Sequence, residues 1–288
     1  AVGVRVLPPR GRQPAAPAPP PARRLRLLVQ SRPGYHGSAP GFGYVLQDGR
    51  EPAADSVAIP GTPMLLTRGE PVQVTVVNRL AEPTSVHWHG IELDSWFDGV
   101  SGWSGSGART APQIAPGDSF LVRFTPPRAG TFIYHTHFEE ERQLPAGLYG
   151  ALLVLEPGER YDPERERLVV LSAYPGERAR LQVNGSRDAE LRLRAGRSYR
   201  VRLINIHANA APRLALLADS VPVSWRLLAK DGATVPPAQA TVRPAVLRIG
   251  VGETYDFALE AGAPRELRLV GRDATGAEVV AARVRVVP

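Results

Sequence analysis

Four of the six histidines in the sequence stand in two His-x-His pairs. His87 and His89 flank Trp88 in TSVHWHGIELDSWFDGVSG, residues 84–102. His135 and His137 flank Thr136 in AGTFIYHTHFEEERQLPAGLYGALLV, residues 129–154. Residues i and i+2 of an extended strand project from the same face. Each pair therefore offers two imidazoles side by side, and two neighbouring strands would gather four. An imidazole-only site suits copper, zinc, iron or nickel, and spacing alone does not choose among them. Trp88, between two candidate ligands, should point to the opposite face and pack. His36 in GYHGS and His207 in NIHANAA have no such companion and read as structural. Glu139, Glu140 and Glu141 follow the second pair and read as a solvated loop face. Asp98 precedes a glycine in FDGVSG, a pair that favours turns.

The rest of the composition removes other chemistries. There is no cysteine, which excludes disulfides, thiolate nucleophiles, iron–sulfur clusters and any blue copper site within these residues. The net charge of +7 is spread along the chain as arginine, with Lys230 the single lysine. No basic cluster is interleaved with the stacking aromatics that single-strand binders use, so nucleic acid is not expected as a partner. No apolar run reaches the length of a membrane span, and no membrane partner is expected.

The elements that must hold the histidines read as strands. Short alternating runs such as PVQVTVVN, SFLVRF, TFIYHTH, LYGALLVLE and YRVRLIN are punctuated by Gly and Pro, the pattern of an all-β protein built as sandwiches. The segment EEERQLPAG is the best candidate for a short helical turn. An internal repeat divides the chain. LTRGEPVQVTVVN (Leu66 to Asn78) aligns without a gap to LRAGRSYRVRLIN (Leu193 to Asn205), and IAPGDSFLVRF (Ile114 to Phe124) aligns to IGVGETYDFAL (Ile249 to Leu259). Two β-sandwich domains of similar plan follow, over residues 23–158 and 159–288. Domain one closes with GALLVLEP and the chain with AARVRVVP; the opening AVGVRVLP resembles both. Residues 1–8 are therefore expected to be the last strand of an upstream domain, joined through a proline-rich linker over 9–22.

The repeat supplies its own control. Counting from Asn78 and Asn205 sets His87 and His89 against Leu214 and Leu216. Counting from Gly117 and Gly252 sets His135 against Val270, and no histidine follows His207. Domain two keeps the scaffold with apolar residues at the ligand positions, and is expected to bind no metal.

The segments NRLAEPTSVHWHGIEL…DGVSG, APQIAPGDSFLVRF, AGTFIYHTH and RQLPAGLYGALLVLE resemble the first copper-ligand domain of multicopper oxidases, the laccase-like cupredoxin enzymes. The resemblance is strong over residues 57–157 and looser over 165–260. It implies two cupredoxin-like Greek-key β-sandwich domains and half of a trinuclear copper cluster. By that resemblance His87 would bind the type 2 copper, and His89, His135 and His137 the type 3 pair. Asp98 resembles an acidic residue that assists proton delivery. The motifs that carry the type 1 copper and the other half of the cluster are absent here and are expected in an upstream cupredoxin domain. The implied partners are dioxygen and a reducing substrate, in a periplasmic or extracellular setting. Two alternatives remain at this stage: a relative of copper nitrite reductase, and a non-catalytic copper-binding or structural module.

Overall fold

The computed structural model describes residues 21–106 and 109–288. The expected closing strand 1–8, and all but the last two residues of the stretch 9–22, lie outside the described residues. The first unit comprises β1 (Arg23–His36), β2 (Ala39–Leu46), β3 (Gly61–Thr67), β4 (Val72–Asn78), β5 (His87–His89), the small hairpin β6 (Gly105–Ser106) and β7 (Arg109–Thr110), β8 (Ser119–Phe124), β9 (Gly130–His135), helix α1 (Glu140–Ala146) and β10 (Tyr149–Leu155). Its two four-stranded sheets run β2-β1-β4-β8 and β3-β10-β9-β5. The sequence VQVTVVN shows why they face each other: residues 72, 74, 76 and 78 of β4 are buried and the residues between them are half-buried, a period of two. Val74 and Val76 from one sheet meet Met64, Trp88, Tyr134 and Leu152 from the other in a single core. The fold class is the expected one, all-β and sandwich-built, and α1 falls within EEERQLPAG.

The second unit repeats the plan. It comprises β11 (Glu166–Tyr174), β12 (Glu177–Val183), β13 (Glu190–Arg194), β14 (Ser198–Asn205), β15 (Arg213–Ala218), β16 (Val221–Pro222), β17 (Ser224–Lys230), β18 (Ala233–Thr234), β19 (Val242–Pro244), β20 (Val246–Arg248), β21 (Thr254–Glu260), β22 (Arg265–Arg272) and β23 (Glu278–Val287). One sheet runs β12-β11-β14-β21-β17-β18 with β19 on β17; the other runs β13-β23-β22-β15-β16 with β20 on β15. The parallel pair β1/β4 and antiparallel pair β4/β8 recur as β11/β14 and β14/β21. The aligned asparagines do the same work. Asn78 donates to the carbonyls of Glu82 and Ile114, and Asn205 to those of Ala210, Ile249 and Gly250. The N–H of Gly117 bonds the Asn78 carbonyl, and that of Gly252 the Asn205 carbonyl, both at 2.9 Å. Both glycines have left-handed φ, +77° and +72°, which costs a residue with a Cβ about 1–2 kcal/mol.

The counting argument fails by one residue at β15. Leu214 and Leu216 point into the second core, as Trp88 does in the first. The positions facing away are Arg213 and Ala215, opposite Arg272 and Val270. A slip of one residue exchanges the two faces of a strand, so the residue count from the shared asparagine matched ligand positions to core positions. The conclusion about imidazoles is unchanged, since neither face of β15 carries one.

The two units meet along a seam. Its apolar part brings Ile133, Leu144, Tyr149 and Leu153 against Val170, Ile204 and Ile206. Its polar part centres on Arg202, whose side chain is 2% exposed. That guanidinium bonds Glu166, Asp256 and the Thr131 hydroxyl at 2.5–3.0 Å. Thr131 in turn donates to Asp256 at 2.7 Å. Arg200 adds a second guanidinium on Asp256 at 2.6 Å. No helix among the described residues is long and apolar enough to cross a membrane.

Candidate metal centre

β5 is the edge strand of its sheet, paired antiparallel to β9 so that His87 faces His135, Trp88 faces Tyr134 and His89 faces Ile133. Alternation then sorts the side chains. Trp88 and Tyr134 enter the core, fully buried, as expected of Trp88. His87, His89 and His135 share the other face, where one ring nitrogen from each lies within 4.8 Å of the other two. The ring centroids of His87 lie 5.5, 5.3 and 5.4 Å from those of His89, His135 and His137. β9 ends at His135, so His137 reaches the group from the following loop rather than from the strand, with its ring 6.0 Å from that of His135.

Each imidazole is oriented by a partner. The Nδ1–H of His87 donates to the Asp98 carbonyl at 2.8 Å, with the Asp98 carboxylate 3.3 Å away. Asp98 also accepts from the Ser104 hydroxyl at 3.1 Å. The chain passes back under His87 only because residue 99 is glycine: with φ of +79°, a Cβ there would overlap the Val86 carbonyl. His135 donates Nδ1–H to the Thr136 carbonyl at 2.6 Å. His137 approaches Glu140 through Nδ1 at 2.8 Å, and its main-chain N–H donates to the Ser85 hydroxyl. Glu140 is thus more than a solvated loop residue. In His87, His135 and His137 the partner occupies Nδ1 and leaves Nε2 free to ligate, the arrangement by which outer partners fix metal-bound imidazoles.

Buried Gln143 ties the surrounding loops together. Its Oε1 accepts from the hydroxyls of Thr84 and Thr136 at 2.9 Å, and its Nε2 donates to Glu82 and to the Pro83 carbonyl at 2.7 and 2.8 Å. Nothing in the sequence singles this residue out, because its partners come from residues 82–84, far away in the chain, and from Thr136. Gln143→Met leaves two hydroxyls and a carboxylate short of a partner. It should destabilise the protein by about 2–3 kcal/mol, read as a lowered urea midpoint.

Burial sets the electrostatics. It depresses the pKa of His135 well below the usual 6.5, and the neighbouring His87 and His89 add to this. His89 and His36 are lowered for the same leading reason. These groups stay neutral in the folded protein at a pH where they are protonated in the unfolded chain. The unfolded state then binds more protons, so stability falls as pH drops. The metal-free protein should be most stable above pH 6.5 and lose stability progressively below it, with His135 contributing at most about 1.4 kcal/mol per pH unit. Urea titrations at a series of pH values check this; carboxylates such as Asp98, itself lowered mainly by its hydrogen bond with His87, act in a separate window below 3.8.

His36 and His207 take structural positions, as expected. His36 packs edge-on to Tyr35 and Tyr174 and bonds the Ala146 carbonyl. His207 accepts main-chain N–H bonds from Asn209 and Ala210.

A multicopper oxidase family model matches residues 56–159, which contain all four clustered histidines. A copper resistance protein A homolog of Pseudomonas syringae pv. tomato is 40% identical over 121 residues, 41% of this chain and 19% of that protein. Multicopper oxidase MmcO of Mycobacterium tuberculosis is 28% identical over 251 residues, 70% of this chain and 46% of that protein. A crystal structure of a multi-copper oxidase from Pseudomonas thermotolerans superposes with a TM-score of 0.69 at 25% identity, covering 92% of this chain and 64% of that one. Residues 56–159 therefore carry a domain of the multicopper oxidase family. The chain spans less than half the length of these two curated relatives. The donor set suits the metal that gives the family its name. Three imidazole nitrogens within 4.8 Å, two of them freed by Nδ1–H bonds to carbonyls, form a borderline-soft nitrogen site of the kind copper takes.

Proposed function

We propose that this chain supplies half of the ligands of a trinuclear copper centre, in a protein that couples one-electron oxidation of a reducing substrate to reduction of dioxygen to water. The supporting observation is the convergence of His87, His89 and His135 on one small volume with the His137 ring beside it. His87 takes the type 2 position, and His89, His135 and His137 the type 3 positions. Copper bound there supplies one-electron redox chemistry and a place for dioxygen. The chain's own task is to hold bare nitrogens inward: the Asp98 and Thr136 carbonyls hold the protons on Nδ1 of His87 and His135. The remaining imidazoles and the type 1 copper come from an upstream cupredoxin domain outside this chain, and the setting is periplasmic or extracellular.

Dioxygen reduction to water consumes four protons for four electrons. The Asp98 carboxylate, one-third exposed and 3.3 Å from His87, stands between solvent and the cluster and relays them. Asp98→Asn keeps the closer main-chain acceptor of His87. It should therefore preserve copper content while slowing dioxygen reduction by about 100-fold, measured with an oxygen electrode beside metal analysis.

Copper titration of this chain, with and without the upstream domain, tests the reading. Alone, the chain should bind copper weakly through its clustered histidines and consume no dioxygen. With that domain it should do both tightly and catalytically. Copper uptake that is the same after all four histidines are replaced would refute it.

A further inference from the structure

His89 differs from the other three imidazoles in what orients it. Its Nδ1 faces the cluster, 3.5 Å from Nε2 of His135. Its opposite edge lies on the second unit, at the turn before β21. A Cβ built on Gly252 would stand 2.7 Å from both Cε1 and Nε2 of His89, and 3.7 Å from Nδ1. The ring rests edge-on against a backbone position that has room for hydrogen only. Around that edge opens a cleft of about 200 Å³ between the units, lined by His89, Thr131, Asp231, Gly252, Glu253 and Thr254. The cleft leaves room for water beside that ring edge, with Asp231 on its wall.

The same seam fixes where Gly252 stands. Thr254 donates its hydroxyl to the Thr131 carbonyl at 2.9 Å, and its N–H to the Asp231 carboxylate at 3.0 Å. Arg128 spans the gap, bonding the carbonyls of Gly90 and Asp231 at 2.5 and 2.9 Å. The turn that touches His89 is therefore tied to both strands that carry the cluster.

We infer that the second unit, which carries no clustered imidazole of its own, is a positioning device for His89: the Gly252 turn holds the ring so that Nδ1, not Nε2, is presented to the metal. Gly252 is thus a positioning residue. The inference rests on the cluster being a metal site, but the ring's placement can be tested without metal.

The repeat provides the control. Gly117 occupies the equivalent turn of the first unit with the same left-handed φ, and a Cβ there meets nothing within 4 Å. Gly252→Ala and Gly117→Ala therefore carry the same backbone strain, and only the first pushes on His89. Asparagine tolerates left-handed backbone better than alanine, so Gly252→Asn and Gly117→Asn repeat the comparison with less strain. In the metal-free protein, long-range ¹H–¹⁵N correlation spectra read the protonation pattern of each imidazole. Copper titration then reads affinity.

The Gly252 variants should shift the His89 ring nitrogens and weaken copper binding by about 10–100-fold, as loss of an outer partner of a metal ligand does. The Gly117 variants should do neither. Equal behaviour of the two sets, in either direction, would overturn the inference. So would failure of Gly252→Asn to fold while Gly117→Asn folds, because the turn would then serve the packing of its own unit. If the wild-type protein binds no copper, the metal-site reading fails, and the metal-free spectra still decide whether Gly252 sets the ring.

Discussion

Arg202→Met should lower the stability of the protein by about 3–5 kcal/mol, the largest loss expected from any single substitution away from the cores. The guanidinium is almost fully enclosed and reaches Glu166 through two nitrogens, at 2.5 and 2.6 Å. It also holds Asp256 at 3.0 Å and the Thr131 hydroxyl at 2.7 Å. With Arg200 on the outer side of Asp256, the group has two cations and two carboxylates. Methionine fills much of the volume but leaves Glu166 inside without its counter-charge. Uncompensated buried charge, rather than the lost attraction, makes up most of the cost. The double variant Arg202→Met, Glu166→Gln removes one charge of each sign and should recover a large part of the loss. Arg202→Lys should fall between, since an ammonium cannot reproduce the planar fork. Thermal and urea unfolding of the four proteins gives the order. Equal stability of Arg202→Met and its double variant would show that packing alone mattered.

That cluster also marks the limit of what the sequence discloses. Arg202 stands in YRVRLIN, where period-two alternation reads correctly as strand and where an arginine at a buried position looks like a violation. Its partners come from β9, β11 and β21, and no pattern within one strand announces them. The candidate metal site was more legible because its chemistry is local. His87 and His89 sit at the i, i+2 spacing that a strand converts into a shared face, and His135 stands opposite His87 on the neighbouring strand. The single core position between the first two had to be large and apolar, and Trp88 is. The repeat was legible for a similar reason: the Asn78 and Asn205 side chains close equivalent turns, so the local pattern around each asparagine, and around Gly117 and Gly252, is kept although the stretch between them is longer in the second unit. What the repeat could not carry was strand register. The path from Asn205 to β15 places its side chains one residue out of phase with the path from Asn78 to β5. Loops can lengthen or tighten by one residue without disturbing the asparagine that begins them, and each such change inverts a strand. Contacts made across the seam, such as His89 on Gly252, are equally invisible to a linear count.

With the upstream domain present, His135→Ala should abolish tight copper binding outright, a larger effect than the roughly 10–100-fold expected when only an outer partner is lost. His135 is the most buried of the four imidazoles, at 6% exposed. Its ring stands 5.3, 5.6 and 6.0 Å from those of His87, His89 and His137, so it adjoins all three of the other imidazoles. Its Nδ1–H is committed to the Thr136 carbonyl, which leaves Nε2 as the nitrogen to be lost. Asparagine or glutamine cannot restore the site, because a side-chain amide offers a much poorer nitrogen donor than imidazole. The metal-free variant should behave in a second, opposite way. Removing a group that burial keeps neutral removes its share of the penalty on acidification. His135→Ala should therefore show a shallower fall in stability below pH 6.5 than the parent, even if alanine makes it less stable at pH 8 by leaving a cavity. Copper content by elemental analysis and urea midpoints across pH measure the two effects on one preparation. A variant that keeps full copper content would remove His135 from the ligand set; one that keeps the full pH slope would mean that another buried group carries the acid sensitivity.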